Sequence, residues 1–164
     1  MVQISKMSDY AILILAHMAK DNHQDLHTAK SLSHNLHLPL PTVSKIVKKL
    51  QRSEILNSIQ GPKGGYQLAR PVQAISVAQV IESMEGPLAI TQCSLEENQA
   101  CMVIQWCEVK PHWVMINRVL QKALEGLTLD LLSSSGKQRT HWKEGLDRVW
   151  KGLFMAPSEK VEEG

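Results

Sequence analysis

The segment from residue 28 to residue 70 constrains the fold of this chain more than any other part. It contains a short helical stretch that begins at Thr28, a turn with two prolines, Pro39 and Pro41, and a second helical stretch over residues 42–53. Each proline disfavours helical geometry in the residue before it and suits the first turn of a following helix. The segment therefore predicts two helices joined by a tight turn.

The second of these helices is predicted to be amphipathic. Its apolar residues fall on one face, namely Val43, Ile46, Val47 and Leu50, and its polar and basic residues fall on the other, namely Ser44, Lys45, Lys48, Lys49 and Arg52. A short helix, a tight turn and a second helix with one apolar and one basic face is typical of a helix-turn-helix.

A predicted β-hairpin follows the two helices. Two strand-like runs, residues 55–60 and 66–70, are joined by the sequence Gly-Pro-Lys-Gly-Gly at 61–65. Pro62 fixes its own φ, Gly64 and Gly65 can adopt positive φ, and Lys63 is left at the exposed tip. The sequence therefore predicts a winged helix, in a mainly α chain with a small β-hairpin wing.

Helical patterns also lie on either side of this unit. Apolar spacing predicts a first helix between residues 4 and 20, and Ser76 with Gln79 forms a capping pair for a helix that Gly86 and Pro87 end. A long helix is expected over residues 111–132, with a break suggested by Gly126 and Thr128. A short amphipathic helix is predicted around its apolar residues Trp142, Leu146, Trp150 and Phe154.

These patterns divide the chain into four parts. We expect a winged-helix domain at 1–87, a cysteine-bearing segment at 88–110, a dimerisation helix at 111–132, and a linker with a C-terminal extension of unassigned role at 133–164. With 43% hydrophobic residues in 164, the composition is that of an ordinary globular domain. No apolar run approaches the roughly 20 residues of a membrane span, and no signal sequence precedes the first helix. A cytoplasmic protein is expected, whose cysteines are reduced thiols, metal ligands or redox groups and not structural disulfides.

The charge is concentrated in the helix-turn-helix and the hairpin. Residues 42–70 hold six basic side chains against Glu54 alone, a net +5, which indicates a polyanionic partner. Lysine and arginine neutralise phosphates, and the start of such a helix can reach base edges in the major groove. The predicted DNA-binding residues are Thr28, Pro41, Thr42, Ser44, Lys45, Lys48, Lys49, Arg52 and, in the wing, Lys63, Gly64, Gly65, Tyr66 and Arg70.

Three cysteines lie in one segment without helical periodicity. Cys93, Cys101 and Cys107 are separated by seven and five residues, and soft sulfur ligands favour iron-sulfur clusters, zinc or copper. Zinc sites more often place cysteines two to four residues apart, so the wider spacing favours a cluster. His112 is the nearest imidazole for a fourth ligand. The upstream histidines show no ligand spacing and are interpreted as structural or exposed: His17, His23, His27, His34 and His37.

No catalytic constellation competes with these features. The chain has no Walker sequence, no His-Glu-x-x-His pair and no nucleophile elbow, and its glycine-rich hairpin does not lead from a strand into a helix. The best enzyme hypothesis is a thiol redox protein, but a Cys-x-x-Cys pair is absent. The sequence therefore favours a DNA-binding regulator over an enzyme.

At the level of motifs, the chain resembles the IscR/NsrR family of winged-helix transcription regulators, the Rrf-two family. The resemblance rests on Met-Ser-Asp-Tyr-Ala at 7–11, the helix at 38–50, the wing at 61–71, Ile-Ser-Val-Ala at 75–78, Glu-Gly-Pro at 85–87 and the three cysteines. It covers residues 1–132, and the helix at 113–132 looks most like that of the regulators of SUF-type iron-sulfur assembly.

The resemblance implies a homodimer on a pseudo-palindromic promoter site, usually acting as a repressor of iron-sulfur assembly genes. It also implies an iron-sulfur cluster, 2Fe-2S or 4Fe-4S, on Cys93, Cys101 and Cys107. IscR-type proteins complete the site with a histidine where this chain has Lys110, and NsrR-type proteins use an aspartate of the partner subunit that matches Asp9. Asp9 is therefore ranked ahead of His112 as fourth ligand. In this family a cluster reports iron-sulfur supply, oxygen or nitric oxide.

Two further interpretations stay open beside the cluster sensor. The protein could sense oxidants or nitric oxide through its thiols without a stable cluster, or act as a thiol redox protein. If a cluster is present, we expect its binding to order residues 90–110, to fix the first helix of one subunit against the cysteine segment of the other, and so to change the spacing of the two recognition helices.

Overall fold

The computed structural model describes residues 4–21, 25–94, 101–103, 105–133, 147, 150 and 151. The elements in these ranges are α1 (Lys6–Met18), α2 (Ala29–Leu36), α3 (Leu40–Arg52), β1 (Leu56–Ile59), β2 (Gly65–Leu68), α4 (Val77–Glu85), α5 (Lys110–Gly126) and α6 (Leu129–Ser133), with 3-10 turns at Val72–Ala74 and Gln92–Ser94. The predicted fold class, mainly α with a two-stranded hairpin, is confirmed. None of the helices in the described ranges has the length and apolarity needed to cross a bilayer.

The core of the winged-helix unit is built from the apolar faces of α1, α2, α3 and α4. The fully buried side chains include Ile14, Leu15, Leu32, Val43, Ile46, Val47, Leu50, Ile75 and Val80. The stripe predicted on α3 is therefore inside, and its basic face is left toward solvent. Burial of these aliphatic side chains supplies the main free energy that holds the four helices and the hairpin together.

The turn between α2 and α3 is three residues long. His37 takes the left-handed conformation (φ 53°) that ends α2, and Pro39 precedes the first residue of α3. The helix therefore begins at Leu40, two residues earlier than the predicted Thr42. Pro41 lies within the first turn, where its missing N–H would have no helical partner in any case, so proline starts this helix instead of delaying it.

The wing is an antiparallel hairpin in which Leu56 pairs with Leu68 and Ile59 with Gly65. Gly64 and Gly65 do not use the positive φ that glycine allows. In this turn Gly61 has the positive φ, 120°. Close approach explains the other two glycines. A Cβ on Gly64 would lie 2.1 Å from the main-chain oxygen of Ile59, and one on Gly65 would lie 2.9 Å from that of His27.

The fourth helix follows the predicted pattern. Ser76 accepts a hydrogen bond from the backbone N–H of Gln79, whose side chain in turn accepts one from the N–H of Ser76. Gly86, with φ 90°, ends the helix as expected. The capping box was readable from sequence because both of its bonds join residues three apart.

The long helix ends where the sequence suggested a break. α5 ends at Gly126, and the chain then turns back so that Thr128 forms a β-bridge with Ser76. Two backbone bonds flank that bridge, Val77 N–H to Leu127 (2.8 Å) and Leu129 N–H to Ile75 (3.0 Å). Leu129 is fully buried in the same core as α1 and α3. The chain after α5 is therefore part of the winged-helix core.

The predicted C-terminal helix lies largely outside the described residues. Of that stretch the structure describes Asp147, Trp150 and Lys151, all three with helical backbone. Residues 95–100 and 104 of the cysteine-bearing segment also lie outside the described ranges. The fold therefore positions two candidate sites for description, the basic surface of α3 with the wing, and the cysteines beside α5.

Candidate DNA-binding surface and cysteine segment

The solvent face of α3 is basic and continuous along the helix. Lys45, Lys48 and Arg52 are exposed, and Thr42 and Ser44 at the start of the helix are half-buried. The buried stripe of the same helix fixes its rotation, so these side chains face away from the core. Such a face can place hydroxyls and one lysine at base edges and the remaining cations at phosphates.

Lys49 differs from its neighbours on α3. Its Nζ donates a hydrogen bond to the main-chain oxygen of Met84, 2.7 Å away in the last turn of α4. The ammonium group therefore satisfies one of the carbonyl groups that the end of a helix leaves without a partner. The structure gives Lys49 an internal contact in addition to its predicted role at the DNA.

The wing presents one lysine on a narrow tip. Lys63 is exposed, and the N–H of Gly64 closes the tip by donating to the oxygen of Gly61 (2.9 Å). Since the neighbouring glycines carry no side chains, the backbone of the tip can approach a groove or a phosphate closely. The arrangement suits a minor-groove or phosphate contact beside the one made by α3.

The base of the wing is tied to the start of α2. Tyr66 and His27 exchange two backbone hydrogen bonds, of 2.8 and 2.9 Å. The next residue, Thr28, caps α2 by accepting from the N–H of Ser31 at 3.0 Å, and its side chain is exposed. Wing and helix-turn-helix are thus joined through the backbone of residues 27 and 28.

Arg70 occupies a groove between the end of β2 and α4. It lines this groove together with Ser53, Gln79 and Glu82, and its Nε is buried without a hydrogen-bond partner among the described residues. Arg70 as a whole is half-buried and lies at the root of the wing, not at its tip with Lys63. The predicted DNA contact of Arg70 stays a prediction.

The three cysteines are free thiols of intermediate exposure. Cys93 lies in the 3-10 turn before the gap at 95–100, and its Sγ is 3.3 Å from the hydroxyl oxygen of Thr91. The main-chain oxygen of Cys107 accepts from the N–H of Lys110 (3.3 Å), at the first residue of α5. Cys107 is therefore held by its backbone at the start of α5.

A buried asparagine on α5 fixes the stretch that leads to Cys93. Asn117 donates from Nδ2 to the oxygen of Leu88 and accepts at Oδ1 from the N–H of Ile90, both at 3.0 Å. Ser94 adds a contact at 3.4 Å to the oxygen of Trp113, one turn from the start of α5. Cys93 and Cys107 are therefore both held beside the first turns of the same helix.

The apolar side chains around the cysteines and along α5 are unusually exposed. Met102 is 98% exposed and Trp106 is 82% exposed, and the outer face of α5 carries further exposed apolar residues, Trp113, Met115, Ile116, Val119 and Leu120. Contiguous exposed apolar surface of this kind marks an interaction site.

The two candidate fourth ligands lie on different helices. Asp9 is exposed in the first turn of α1, and His112 is exposed in the first turn of α5. The structure of one chain shows no contact between either residue and the described cysteines. A ligand supplied by a partner subunit would not appear in a single chain, so the ranking of Asp9 before His112 stays a prediction.

The end of α4 is linked to the start of α1 through Glu85. Its carboxylate accepts hydrogen bonds from the Ser8 hydroxyl and from the N–H of Ser5, the latter at 3.0 Å. The Ser8 hydroxyl bond lowers the pKa of Glu85 below its ordinary value of 4.5, against a smaller opposing effect of desolvation. The helix that carries Asp9 is therefore fixed to the helix whose last turn receives Lys49.

Comparison with protein families decides the class of this chain. The profile of the Rrf2 family, described as an iron-dependent transcriptional regulator, matches residues 4–135. The chain belongs to the Rrf2 family. The match includes the helix-turn-helix, the wing, the cysteine segment and α5, which are the parts on which the resemblance in sequence rested.

Relatives of this Rrf2 protein are transcriptional regulators. It is 26% identical over 132 residues to the HTH-type transcriptional regulator NsrR of Oceanobacillus iheyensis, covering 79% of this chain and 88% of that one. It is 25% identical over 142 residues to the HTH-type transcriptional regulator CymR of Bacillus subtilis, covering 85% and 97%. Transcription regulation by a DNA-binding winged helix follows from family and fold together.

Solved structures agree on the fold. The structure of CymR, the global cysteine regulator of B. subtilis, superposes with a TM-score of 0.63 at 25% identity, covering 82% of this chain and 98% of that one. That of the T. potens IscR superposes with the same TM-score of 0.63 at 22% identity, covering 84% and 91%. The second likeness shows the fold alone.

One further group of side chains in this Rrf2 protein was missed in the sequence. His17, Asp21 and His27 offer ligand atoms that all lie within 4.8 Å of one another. His17 lies in the last turn of α1 and Asp21 in the bend just after that helix, so their closeness in sequence is the signal that could have found them. His27 reaches the group only through the fold.

Proposed function

We propose that this protein is a homodimeric transcriptional repressor whose affinity for promoter DNA is controlled by an iron-sulfur cluster on Cys93, Cys101 and Cys107. Its targets would be iron-sulfur assembly genes, and its place of action the cytoplasm. The division into a winged-helix domain, a cysteine-bearing segment, a dimerisation helix and a C-terminal extension belongs to this proposal, with Leu129 after the long helix packed into the core of the winged helix. The observation that carries it is the basic face of α3 beside a glycine-rich wing, in a family described as iron-dependent.

The DNA contact is proposed through α3 and the wing together. The helix would enter a major groove with Thr42, Ser44 and Lys45 toward the bases, while Lys48 and Arg52 meet phosphates. Lys63 at the wing tip would contact the neighbouring phosphates or minor groove. The backbone exchange between Tyr66 and His27 supports this view, because it keeps the wing in register with the helix-turn-helix.

The dimer is proposed through the outer face of α5. Its exposed apolar residues, Trp113, Ile116 and Leu120 among them, follow helical spacing and would pack against the same face of a second copy. Two winged helices on a two-fold axis suit a pseudo-palindromic site. The same packing would bring the start of α1 of one subunit toward the cysteine segment of the other, where Asp9 could complete the ligand set.

The cysteine segment offers the donor set of a sulfur-ligated cluster, but the described residues do not bring its three thiols together, so a cluster would have to draw them onto one centre. Three free thiols lie on one segment, half-exposed, and two of them adjoin the N-terminal turns of α5. Bound there, a cluster would supply a centre that responds to iron supply, oxygen or nitric oxide. Asn117 would hold the approach to Cys93 in place.

The path from the cysteines to the DNA is proposed through α1 and α4. Ser5 and Ser8 bind the carboxylate of Glu85, and Lys49 of the recognition helix binds the oxygen of the adjacent Met84. A shift of α1 that follows from engagement of Asp9 would therefore be passed to the end of α4 and on to α3. Small changes in the spacing of two recognition helices decide whether both fit successive major grooves.

The first experiment is the visible absorption spectrum, with iron and acid-labile sulfide analysis, of anaerobically purified protein. We expect iron, sulfide and visible absorption in the wild type and their loss in Cys93→Ser, Cys101→Ser and Cys107→Ser. Apo and loaded proteins are then compared on the same promoter fragment at matched salt. Equal affinity of the two forms would overturn control by the cluster while leaving DNA binding intact.

A second function is supported by the half-exposure of all three thiols. If the protein is colourless and free of iron after anaerobic cluster reconstitution, the cysteines are proposed to sense oxidants directly by disulfide formation. In that case DNA affinity should change on mild oxidation and return with a reductant. An oxidant-insensitive, iron-free protein would exclude both forms of sensing.

A further inference from the structure

We propose that His17, Asp21 and His27 form a mononuclear site for a divalent transition metal ion, with Zn²⁺ as the expected occupant. The site is separate from the cysteines and lies where the end of α1 meets the strand-like residue that precedes α2. It goes beyond the proposed control of DNA binding by the thiols.

The geometry of the three side chains is close to that of a metal site. The His27 Nε2 and the Asp21 Oδ2 are 3.6 Å apart, and all three ligand atoms lie within 4.8 Å of one another. A tetrahedron with metal–ligand bonds of about 2.1 Å has edges of about 3.4 Å. One edge is therefore nearly formed, and an approach of at most about 1.4 Å by the His17 ring would close the other two.

The buried ring of His27 has a nitrogen that no described residue satisfies, as a metal ligand without its ion would. Its side chain is only 10% exposed, and its Nε2 is buried without a hydrogen-bond partner among the described residues. The distance to Asp21 is too long for a hydrogen bond. A buried imidazole nitrogen without a partner costs free energy, and a coordinated ion would remove that cost.

The donor set selects the class of ion. Two imidazoles and one carboxylate suit borderline first-row metals such as Zn²⁺, whereas Mg²⁺ and Ca²⁺ prefer all-oxygen shells. The rings of His17 and His27 meet edge-on, with centroids 6.1 Å apart and planes at 69°, so they do not stack on each other. The half-exposed Asp21 leaves a solvent side on which a water molecule could take the fourth position.

An ion at this place would connect three parts of the DNA-binding unit. His17 belongs to the last turn of α1 and Asp21 to the bend that follows this helix, while the backbone of His27 exchanges two hydrogen bonds with Tyr66 at the base of the wing. Thr28, the next residue, caps α2. Metal binding would therefore hold the wing and the start of the helix-turn-helix against α1, independently of the cysteine segment.

The test uses the full chain with all three cysteines changed to serine, so that thiols cannot bind the probe. Co²⁺ is titrated anaerobically and followed by its visible absorption. We expect one equivalent to bind with d–d bands and without thiolate-to-cobalt charge transfer, and Zn²⁺ to displace it. His17→Ala should abolish this binding, and Asp21→Asn should weaken it by about 10- to 100-fold.

His34→Ala is the matched control, because His34 is an exposed histidine on α2 outside the cluster. It should bind Co²⁺ like the parent protein. Asp21→Asn alters a solvent-exposed side chain, so we expect this variant to fold like the parent, and circular dichroism checks that it does. Hydrogen exchange supplies a second readout, since the amides of His27 and Tyr66 should exchange more slowly with Zn²⁺ in the parent and not in Asp21→Asn. The proposal would be overturned if the cysteine-free parent did not bind Co²⁺. It would also be overturned if the His17 and Asp21 variants bound Co²⁺ with the same affinity as that parent.

Discussion

Lys49 of the recognition helix donates a hydrogen bond from its Nζ to the main-chain oxygen of Met84, 2.7 Å away. Lys48, its neighbour in sequence, is exposed. The two lysines look equivalent in the sequence, yet one stabilises the domain from within and the other is free to meet DNA. Their different surroundings give a direct way to separate folding from binding.

Lys49→Ala should lower the free energy of unfolding by about 1–2 kcal/mol, because the carbonyl at the end of α4 loses its charged partner. Lys48→Ala should leave stability within about 0.5 kcal/mol of the wild type and weaken promoter binding, with the salt slope reduced by about one unit. Urea unfolding measures the stability of each variant, and DNA titrations at several salt concentrations measure its promoter affinity and salt slope. Equal loss of stability in the two variants would contradict the structural assignment.

Gly64→Ala should destabilise the wing. Its new Cβ would lie 2.1 Å from the oxygen of Ile59, so the tip must open, at a cost of about 1–3 kcal/mol. Lys63→Ala is the matched control, because it removes the charge of the tip and keeps its backbone. We expect both variants to bind DNA less tightly, but only Gly64→Ala to melt at a lower temperature. A wild-type melting temperature in Gly64→Ala would show that the tip adapts without strain.

Glu85→Gln should reduce stability in a pH-dependent way. The hydroxyl of Ser8 lowers the folded-state pKa of Glu85 below the unfolded value of 4.5, so the ionised carboxylate stabilises the fold above that value. This contribution is lost as the pH falls through the lowered pKa. The difference in melting temperature between wild type and variant should therefore be largest at neutral pH and should shrink below pH 4.5. A difference that is constant across this range would argue against an ionised Glu85 in the network.

His37→Gly should raise stability by about 1 kcal/mol, since His37 has φ 53° and a side chain in the left-handed region is strained. His34→Gly, inside α2, should lower stability by about 0.5 kcal/mol. Thermal unfolding of both variants gives the comparison. If both glycines destabilise to the same extent, the strain at the turn is compensated by contacts of the His37 ring.

Asn117→Ala should loosen the stretch before Cys93. The N–H of Ile90 and the oxygen of Leu88 both lose a partner on α5, a loss of about 1–3 kcal/mol for buried groups. The amide of Ile90 should then exchange faster with solvent. Arg118→Ala, an exposed neighbour on the same helix, is the control and should leave that amide protected. Unchanged exchange in Asn117→Ala would show that the stretch is held by other contacts.

The features that were predictable from sequence depend on residues close together in the chain. The Ser76 and Gln79 capping box, the buried stripe of α3 and the break after Gly126 are all confirmed, because each depends on spacing within one or two helical turns. Position within a hairpin is harder to read. The sequence showed that the tip needed glycines, but only the fold shows that Gly61 supplies the positive φ and that Gly64 is required by closeness to Ile59.

The residues of the candidate sites also fall into those that local sequence predicts and those whose role depends on distant segments. The basic face of α3 follows from its apolar stripe, but the internal role of Lys49 depends on α4, whose last turn is 35 residues away in sequence. His17 and His27 were interpreted as structural or exposed, since the approach of His27 to the end of α1 depends on its pairing with the wing. Residues whose partners come from distant segments could not be assigned from one sequence.

The return of the chain after α5 has a consequence for how this protein can be divided. Leu129 fills the same interior as Ile14 and Ile46, and Thr128 pairs with the residue that caps α4. A fragment cut at residue 87 would lack a piece of its own interior. Exchange of DNA-reading parts between relatives would therefore have to carry residues 127–131 along with the first 87. The winged helix and the segment after α5 therefore form one folded unit.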